Sequence, residues 1–287
     1  MNFEMREIPK NEFPSRLLEI PDCPKKLYLQ GEFPKGEYKF LCVVGSRRYT
    51  PYGKEVCEKL ISSLRGFPVV IISGLALGID AISHESALAN GLKTIAVPGS
   101  GLSPKVIYPS SNRNLAKRIL ENSGCLLSEF EPETSAALWT FPQRNRIMAG
   151  LSDAVLIIEA ELKSGTLITS KLATDYNRDV FTIPGSIFSK NSEGPHMLIR
   201  LGATPITNGD ELKQALGFIV NEENKEQKDY SDCSDDEKKI IEIIRIPIPR
   251  DELIRKLDMD MSKFNAVLSI MEIKGLIKET MGDIHLN

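Results

Sequence analysis

Short apolar runs alternate with helical patterns from residue 40 to about residue 218, and this alternation constrains the fold more than any other feature of the chain. Six runs have the length and β-branched content of buried strands: Phe40–Val44, Val69–Ile72, Thr94–Val97, Cys125–Leu127, Ala154–Ile158 and Val180–Ile183. Helical patterns begin between them near Tyr52, Gly78, Ser111, Phe141 and Thr166. The alternation predicts parallel βαβ units, and hence an α/β fold in which an open, doubly wound parallel sheet carries helices on both faces.

Glycine, serine or proline follows four of the predicted strands, at residues 45–46, 73–74, 98–100 and 184–186. In open α/β sheets, ligands bind beyond the carboxyl ends of the strands. We therefore expect these turns to form the rim of a binding site.

The remaining chain divides into an N-terminal segment, a linker and a small C-terminal module. Residues 1–39 are rich in proline and turn residues, with Leu27–Leu29 as the only strand-like run, so we expect an extended arm packed on the core domain, residues 40–220. Residues 221–230 are polar and almost free of apolar side chains, which is typical of a linker.

Residues 231–287 predict a winged-helix-like domain of three helices and a hairpin. Ser234 or Asp235 can cap the first helix and Ser262 the third, and the hairpin is expected around Gly282-Asp283. Such domains commonly bind DNA through a basic third helix. Here nine Lys and Arg stand against twelve Asp and Glu. This balance favours a protein-interaction or structural role over direct DNA contact, and it disfavours a transcription factor.

Composition adds limits on partners and compartment. The 287 residues include 36 Lys and Arg against 39 Asp and Glu, a net charge of −3, so binding to a polyanion would need a local basic patch. The five cysteines are scattered without a CxxC pair, which favours a reducing compartment and no metal site. Neither a signal peptide nor a membrane span is visible, so we expect a cytoplasmic protein without membrane contact.

The first two turns of the predicted rim carry candidate phosphate ligands. Gly45 lets the backbone approach a ligand closely, Ser46 can hydrogen-bond it, and Arg47 offers a planar two-pronged donor. An arginine merely solvated in its turn fits this segment equally well. Gly74 and Gly78 lie at the start of the next helical pattern, where unpaired amides can hold an anion.

The fifth predicted strand is flanked by two further groups of this kind. Arg144-Asn145-Arg146 precedes it. Because consecutive side chains point in different directions, we expect one arginine to face a phosphate and the other to pair with Glu159. Ser164-Gly165-Thr166 follows the strand and opens a helix, as an anion site or as a plain N-cap. Lys163 and Lys171 add positive charge beside this turn.

The sequence offers phosphate ligands but few groups for bond-breaking chemistry. No serine, cysteine or threonine has a visible base, and neither a GxGxxG fingerprint nor a P-loop occurs, so we expect no catalytic residue, metal or cofactor. Asp80 and His84 are spaced to pair on one helix face, and a structural hydrogen bond is favoured over a metal or acid–base role. Tyr108 could stack on a base or pack within its own loop.

Nine segments between residues 45 and 206 occur in a recognisable order. They are GSRRYTPYG (45–53), SGLALGIDAISHESAL (73–88), TIAVPGSGL (94–102), YPSSN (108–112), SEFEP (128–132), FPQRNRIMAGLSDAVLIIEA (141–160), SGTLIT (164–169), RDVFTIPGSI (178–187) and LIRLGATPI (198–206). In this order the chain resembles the DNA-processing protein DprA family, also called Smf, over about residues 10 to 210.

The resemblance implies an extended Rossmann-like domain that binds single-stranded DNA, with the winged-helix-like domain following it. It also implies a homodimer, no enzymatic turnover, and delivery of incoming strands to the RecA recombinase during natural transformation in competent cells. It assigns phosphate contacts to Arg47, to the arginines Arg144 and Arg146 of the FPxRNR motif, and to residues 164–166. Leu77 stands where the family commonly has an arginine, which removes one possible DNA contact.

The alternative is a nucleotide or phosphoribosyl hydrolase of a related Rossmann-like superfamily. Such enzymes carry a catalytic glutamate directly after a PGGxGT turn. The corresponding turn here is Ser164–Thr166, and Leu167, Ile168 and Thr169 follow it without a glutamate. The sequence therefore disfavours the hydrolase.

Overall fold

The computed structural model describes residues 3–220, 233–244, 248–257, 259–280 and 282–286. The chain divides into two compact units, Met1–Val220 and Asn221–Asn287. The linker predicted for residues 221–230 lies outside the described residues.

The first unit is built around one nine-stranded sheet. Its strands are β1 (Met5–Ile8), β2 (Leu27–Gly31), β3 (Lys39–Val44), β4 (Val69–Ser73), β5 (Lys93–Ala96), β6 (Cys125–Ser128), β7 (Ala154–Ile157), β8 (Asp179–Thr182) and β9 (Thr204–Pro205). They lie in the order β1-β2-β6-β5-β4-β3-β7-β8-β9. Neighbours from β6 to β9 pair in parallel, whereas β2 is antiparallel to both β1 and β6.

Eight helices connect and cover these strands. They are α1 (Ser15–Leu18), α2 (Pro51–Ser63), α3 (Ile79–Ala89), α4 (Arg113–Glu121), α5 (Thr140–Leu151), α6 (Thr166–Asp175), α7 (Glu193–Arg200) and α8 (Gly209–Ala215). The N-cap threonine of α2, Thr50, accepts a hydrogen bond from the Gly53 amide, and Pro51 occupies the first helical position, where its missing amide costs nothing.

The six strands predicted from apolar runs are confirmed, each within one residue of its expected bounds. The N-terminal segment, expected as an extended arm packed on the core domain, contributes β1 and β2 to the edge of the sheet itself. Strand β1 pairs Met5 with Gln30 and Ile8 with Leu27. The sequence did not predict β1, because only one of its four residues is buried. A short edge strand of this kind shows no apolar run.

The strand order reverses at β3. After β3 the chain adds β4, β5 and β6 on one side, and then returns to place β7, β8 and β9 on the other. The carboxyl ends of β3 and β7 are therefore neighbours whose following segments turn to opposite faces of the sheet. In doubly wound folds, such a switch point is the place where ligands bind.

The core lies on both faces of this sheet. Leu41 and Val43 of β3 pack with residues of α2 and α3, whereas Cys42 and Val44 pack with residues of α5 and α6. Because successive strand side chains point to opposite faces, a strand buried on both sides must be apolar throughout. This explains the unbroken apolar runs of the sequence.

The second unit confirms the winged-helix prediction. It contains α9 (Asp235–Ile243), β10 (Ile248–Pro249), α10 (Arg250–Leu257), α11 (Met261–Ile273), β11 (Ile277–Thr280) and β12 (Asp283–Leu286), with strand order β10-β12-β11. Ser234 caps α9 through a reciprocal capping box with Glu237. The cap of α11 is Asp260 and not Ser262, whose amide donates to the Asp260 carboxylate. In the described residues of both units, no helix is long and apolar enough to cross a bilayer.

Candidate nucleic-acid interface

An open pocket of about 360 Å³ lies at the switch point, between the carboxyl ends of β3 and β7 and the first turns of α5 and α6. Nine of the residues predicted from the sequence line it: Gly45, Ser46, Arg47, Arg144, Asn145, Lys163, Ser164, Gly165 and Thr166. The other predicted residues, Gly74, Gly78, Arg146 and Lys171, do not line the pocket. The turns flanking two non-consecutive strands thus meet in one site.

The turn after β3 presents two exposed guanidinium groups. Arg47 and Arg48 are both exposed at the pocket, and the Arg48 amide donates to Ser46 Oγ at 3.0 Å. The turn rests on the start of α3, since the Ile79 amide donates to the Ser46 carbonyl at 3.2 Å. Gly78 has a φ of +83°, and a side chain there would strike the backbone of Ser46 and Arg47. Glycine at this position therefore lets the turn approach the start of α3.

Arg47 lies over an aromatic ring, and no carboxylate in the described part of the chain forms an ion pair with it. Its guanidinium carbon lies 5.2 Å from the centroid of the Phe141 ring. The Phe141 ring in turn contacts Tyr108, with centroids 5.7 Å apart and planes inclined at 52°. A cation–π contact steadies the side chain and leaves its N–H donors free for a ligand.

The turn after β7 completes the opposite wall. The Thr166 amide donates to Ser164 Oγ at 3.2 Å, and Thr166 Oγ1 donates to the Gly45 carbonyl at 3.2 Å, which links the two turns across the switch point. Gly165 is the N-cap of α6 and has no side-chain cap. Lys163 is exposed at this wall. The start of α6 and one lysine therefore face the same space as Arg47.

Arg144 forms the floor of the pocket and is buried. Its guanidinium Nη1 donates to the carbonyls of Gly74 and Val97, and its Nε donates to Asn145 Oδ1 at 3.0 Å. Its Nη2 lies 3.7 Å from Asp80 Oδ2. A side chain at Gly74 would collide with this guanidinium, so Gly74 makes room for Arg144 and is not an anion seat of its own.

The charges of the Asp80–Arg144 pair are set by burial and by each other. Burial raises the pKa of the Asp80 carboxyl, and the Arg144 guanidinium opposes that rise. Burial lowers the pKa of Arg144, and Asp80 opposes that change. The floor therefore holds a compensated ion pair, and the uncompensated charge of the pocket lies on its rim.

Arg146 points away from the pocket. Its guanidinium donates to the carboxylate of Glu129 and to the carbonyl of Asp22. The expected pairing of one arginine with Glu159 is wrong. Glu159 instead accepts from the Thr50 amide at 2.9 Å and from Thr50 Oγ1 at 2.5 Å, which ties it to the start of α2.

The expected hydrogen bond between Asp80 and His84 is also replaced by other partners. His84 Nδ1 lies 2.7 Å from Thr94 Oγ1, and burial lowers the pKa of His84 to about 3. The imidazole is therefore neutral at physiological pH. Across the described residues, no group of three or more His, Cys, Asp or Glu is placed to hold a metal ion.

Among the other residues that line the pocket, three with charged or aromatic side chains were not singled out from the sequence. Arg48 is exposed beside Arg47, Phe141 carries the cation–π contact, and Glu161 places one exposed carboxylate on the rim. The adjacency of Arg48 to Arg47 was a usable signal. Phe141 gave none, because its contact with Arg47 joins two segments that lie far apart in the sequence.

Comparison with known proteins bears directly on this arrangement. The sequence profile of the DNA recombination-mediator protein A family matches residues 4–217, and that of the DprA winged helix domain matches residues 225–283. The chain belongs to the DNA recombination-mediator protein A family. This confirms the resemblance drawn from the sequence motifs, and both matched regions correspond to the two units of the fold.

Relatives within the recombination-mediator family show how far the similarity extends. The chain is 44% identical to the DNA processing protein DprA of Streptococcus pneumoniae over 206 residues, 72% of each protein. It is 41% identical to the protein Smf of Escherichia coli over 72% of this chain, and the match spans 54% of that protein.

Among solved structures, DprA of Streptococcus pneumoniae superposes with a TM-score of 0.66 at 40% identity, covering 76% of this chain and 75% of that one. DNA processing protein A of Helicobacter pylori, a structure described for its single-stranded DNA binding mode, also reaches 0.66, at 32% identity over 75% of this chain and 96% of that one.

Proposed function

We propose that this chain binds single-stranded DNA at the switch-point pocket and acts as a recombination mediator. The observation that carries the proposal is the rim: Arg47, Arg48 and Lys163 are exposed around one open pocket, against the single exposed carboxylate of Glu161. A net charge of −3 for the whole chain makes this concentration of cations a local feature. The single-stranded DNA binding of the Helicobacter pylori relative supports the choice of ligand.

The proposed grip is on phosphates. Arg47 supplies a two-pronged donor, and the N-terminal turn of α6 with Lys163 supplies a second positive wall. Arg144 and Asn145 act from beneath, by fixing the floor on which the phosphate rests. Contacts to phosphates carry no sequence information, so we expect little preference among bases.

Family membership supports a wider role. We propose that a homodimer delivers incoming single strands to the RecA recombinase during natural transformation, without enzymatic turnover and within the cytoplasm. Two pockets on one strand would raise affinity without any new contact. We assign the acidic winged-helix unit to a protein partner and not to DNA.

A titration with matched ligands tests the proposal. Fluorescence anisotropy is measured for a labelled oligo-dT and for a duplex of the same length at low salt. We expect tight binding of oligo-dT, at least ten-fold weaker binding of the duplex, and loss of affinity as salt rises. Equal affinity for the two DNA forms, or no binding of oligo-dT, would contradict the assignment of the pocket.

The hydrolase alternative keeps one observation in its favour, the exposed carboxylate of Glu161 on the pocket rim. That residue precedes the Ser164–Thr166 turn, whereas the superfamily's catalytic glutamate follows it. We expect no free base to be released from any nucleoside monophosphate above a heat-killed control. Release that disappears in Glu161→Gln would favour the enzyme.

A further inference from the structure

Three side chains contact one another in sequence, and two of them, Arg47 and Phe141, line the pocket. Arg47 lies over the Phe141 ring at 5.2 Å, and the Tyr108 ring contacts Phe141 at 5.7 Å. Phe141 therefore contacts both the proposed phosphate-binding cation and a second aromatic ring. Tyr108 is 50% exposed, which leaves ring surface open to solvent.

Tyr108 differs from the tyrosines that have structural roles. The hydroxyls of Tyr28, Tyr52 and Tyr176 donate to Glu131, to the Pro184 carbonyl and to Asp22. The Tyr108 hydroxyl has no hydrogen-bond partner among the described residues. The Tyr108 ring contacts Phe141, and the hydroxyl is not used to hold the side chain in the described part of the chain.

We propose that Tyr108 is a base-stacking platform, which receives a base of the strand whose phosphate binds at Arg47. The Phe141 ring acts as the spacer that sets the distance between the phosphate seat and the platform. Every base has a flat π-face, so a tyrosine platform holds any base and does not conflict with weak sequence preference. A paired base in a duplex keeps its faces stacked on its neighbours, so the platform favours single strands.

This inference rests on the proposed function, and the test separates the two. Anisotropy is measured with oligo-dT of about 12 nucleotides, within the range of single-strand site sizes, and with an abasic oligonucleotide of equal length and charge. The ratio of the two affinities reports base contacts alone. The variants are Tyr108→Leu, Tyr108→Phe, and Tyr49→Leu as an equally exposed tyrosine (42%) that makes no ring contact among the described residues.

We expect the wild-type chain to bind oligo-dT more tightly than the abasic strand. Tyr108→Leu should reduce that ratio about five-fold, the effect of losing roughly one stacked base, with unchanged affinity for the abasic strand. Tyr108→Phe and Tyr49→Leu should keep the ratio of the wild type. Unchanged affinity for the abasic strand also shows that the Leu variant is folded.

Two results overturn the platform while leaving the phosphate site intact: equal wild-type affinity for both strands, or an unchanged ratio in Tyr108→Leu. An equal fall of the ratio in Tyr49→Leu overturns the assignment to Tyr108. Failure of the wild-type chain to bind either strand would refute the proposed function itself.

Discussion

Two arginine-bearing segments border the same pocket and use their guanidinium groups in opposite ways. In the turn after β3, Arg47 and Arg48 are exposed, and Arg47 lies over the Phe141 ring. In α5, Arg144 is buried against carbonyl groups and Asp80, and Arg146 pairs with Glu129. The guanidinium donors of the first segment are available to a ligand, whereas those of the second form hydrogen bonds within the protein.

The difference depends on the acceptors that each arginine meets. The carbonyls of Gly74 and Val97 lie one residue beyond the ends of β4 and β5, and the Arg144 guanidinium donates a hydrogen bond to each of them. No comparable acceptors face Arg47 among the described residues. Whether an arginine near the pocket supports the fold or is available to a ligand thus depends on backbone carbonyls that lie far away in the sequence.

Removal of the buried Arg144 side chain should lower the free energy of unfolding more than any other change considered. Arg144→Ala leaves Asp80 charged or forced to take up a proton, and leaves the two carbonyls unpaired. Breaking a buried pair in this way costs about 3–5 kcal/mol of unfolding free energy. Urea denaturation measures it. A loss below about 1 kcal/mol together with abolished DNA binding would make Arg144 a direct phosphate contact and remove the contrast with Arg47.

Arg146→Ala should come next. The side chains of Arg146 and Glu129 are only 12% and 8% exposed, so the variant loses charge-assisted hydrogen bonds worth about 1.5–3 kcal/mol. The same denaturation series tests this, with oligo-dT binding of the folded variant as the control. We expect that binding to stay close to that of the wild type. Weakened binding in a fully folded Arg146→Ala protein would place this arginine on the DNA path.

Acid should lower the free energy of unfolding through the buried His84 before it changes the charges of the pocket rim. The folded-state pKa of His84 is about 3, below the ordinary value of 6.5, so the unfolded chain takes up the proton first. The contribution of His84 to the free energy of unfolding is therefore fully present above pH 6.5. It falls by about 1.4 kcal/mol for each pH unit below that value. Urea denaturation at several pH values, compared with His84→Gln, isolates the contribution. Parallel pH profiles would refute it.

Deletion of residues 221–287 should have the smallest effect on DNA binding. The first unit contains the pocket and its own core, so affinity for oligo-dT should change by less than three-fold, or about 0.6 kcal/mol. Anisotropy with the full chain as control measures this. A ten-fold loss would show that the winged-helix unit contributes to the grip despite its acidic balance.

The sequence predicted the fold where buried residues are close together in the chain. The apolar runs of β3 to β8 and their intervening helical periods located these elements within one residue for the strands. Strands β1 and β9 were missed because a short edge strand shows no such pattern: β9 is two exposed residues, Thr204–Pro205.

The site was readable only in part. Residues 45–47 and 164–166 line one pocket, as the rule that parallel strands end at one edge predicts, whereas the turns at residues 73–74, 98–100 and 184–186 do not line it. The burial of Arg144 was not predictable, because its carbonyl partners lie 70 and 47 residues away. The separate partners of Asp80 and His84 depend on the same long-range packing.

Arg47→Ala, measured for oligo-dT affinity and for unfolding free energy in the same preparation, tests the central claim most directly. We predict an affinity at least ten-fold weaker, from the loss of charge-assisted contacts worth about 1.5–3 kcal/mol. The unfolding free energy should stay within about 0.5 kcal/mol of the wild type, as for an exposed side chain. Unchanged affinity, or a fall in stability like that of Arg144→Ala, would contradict the division of the rim into contact and support.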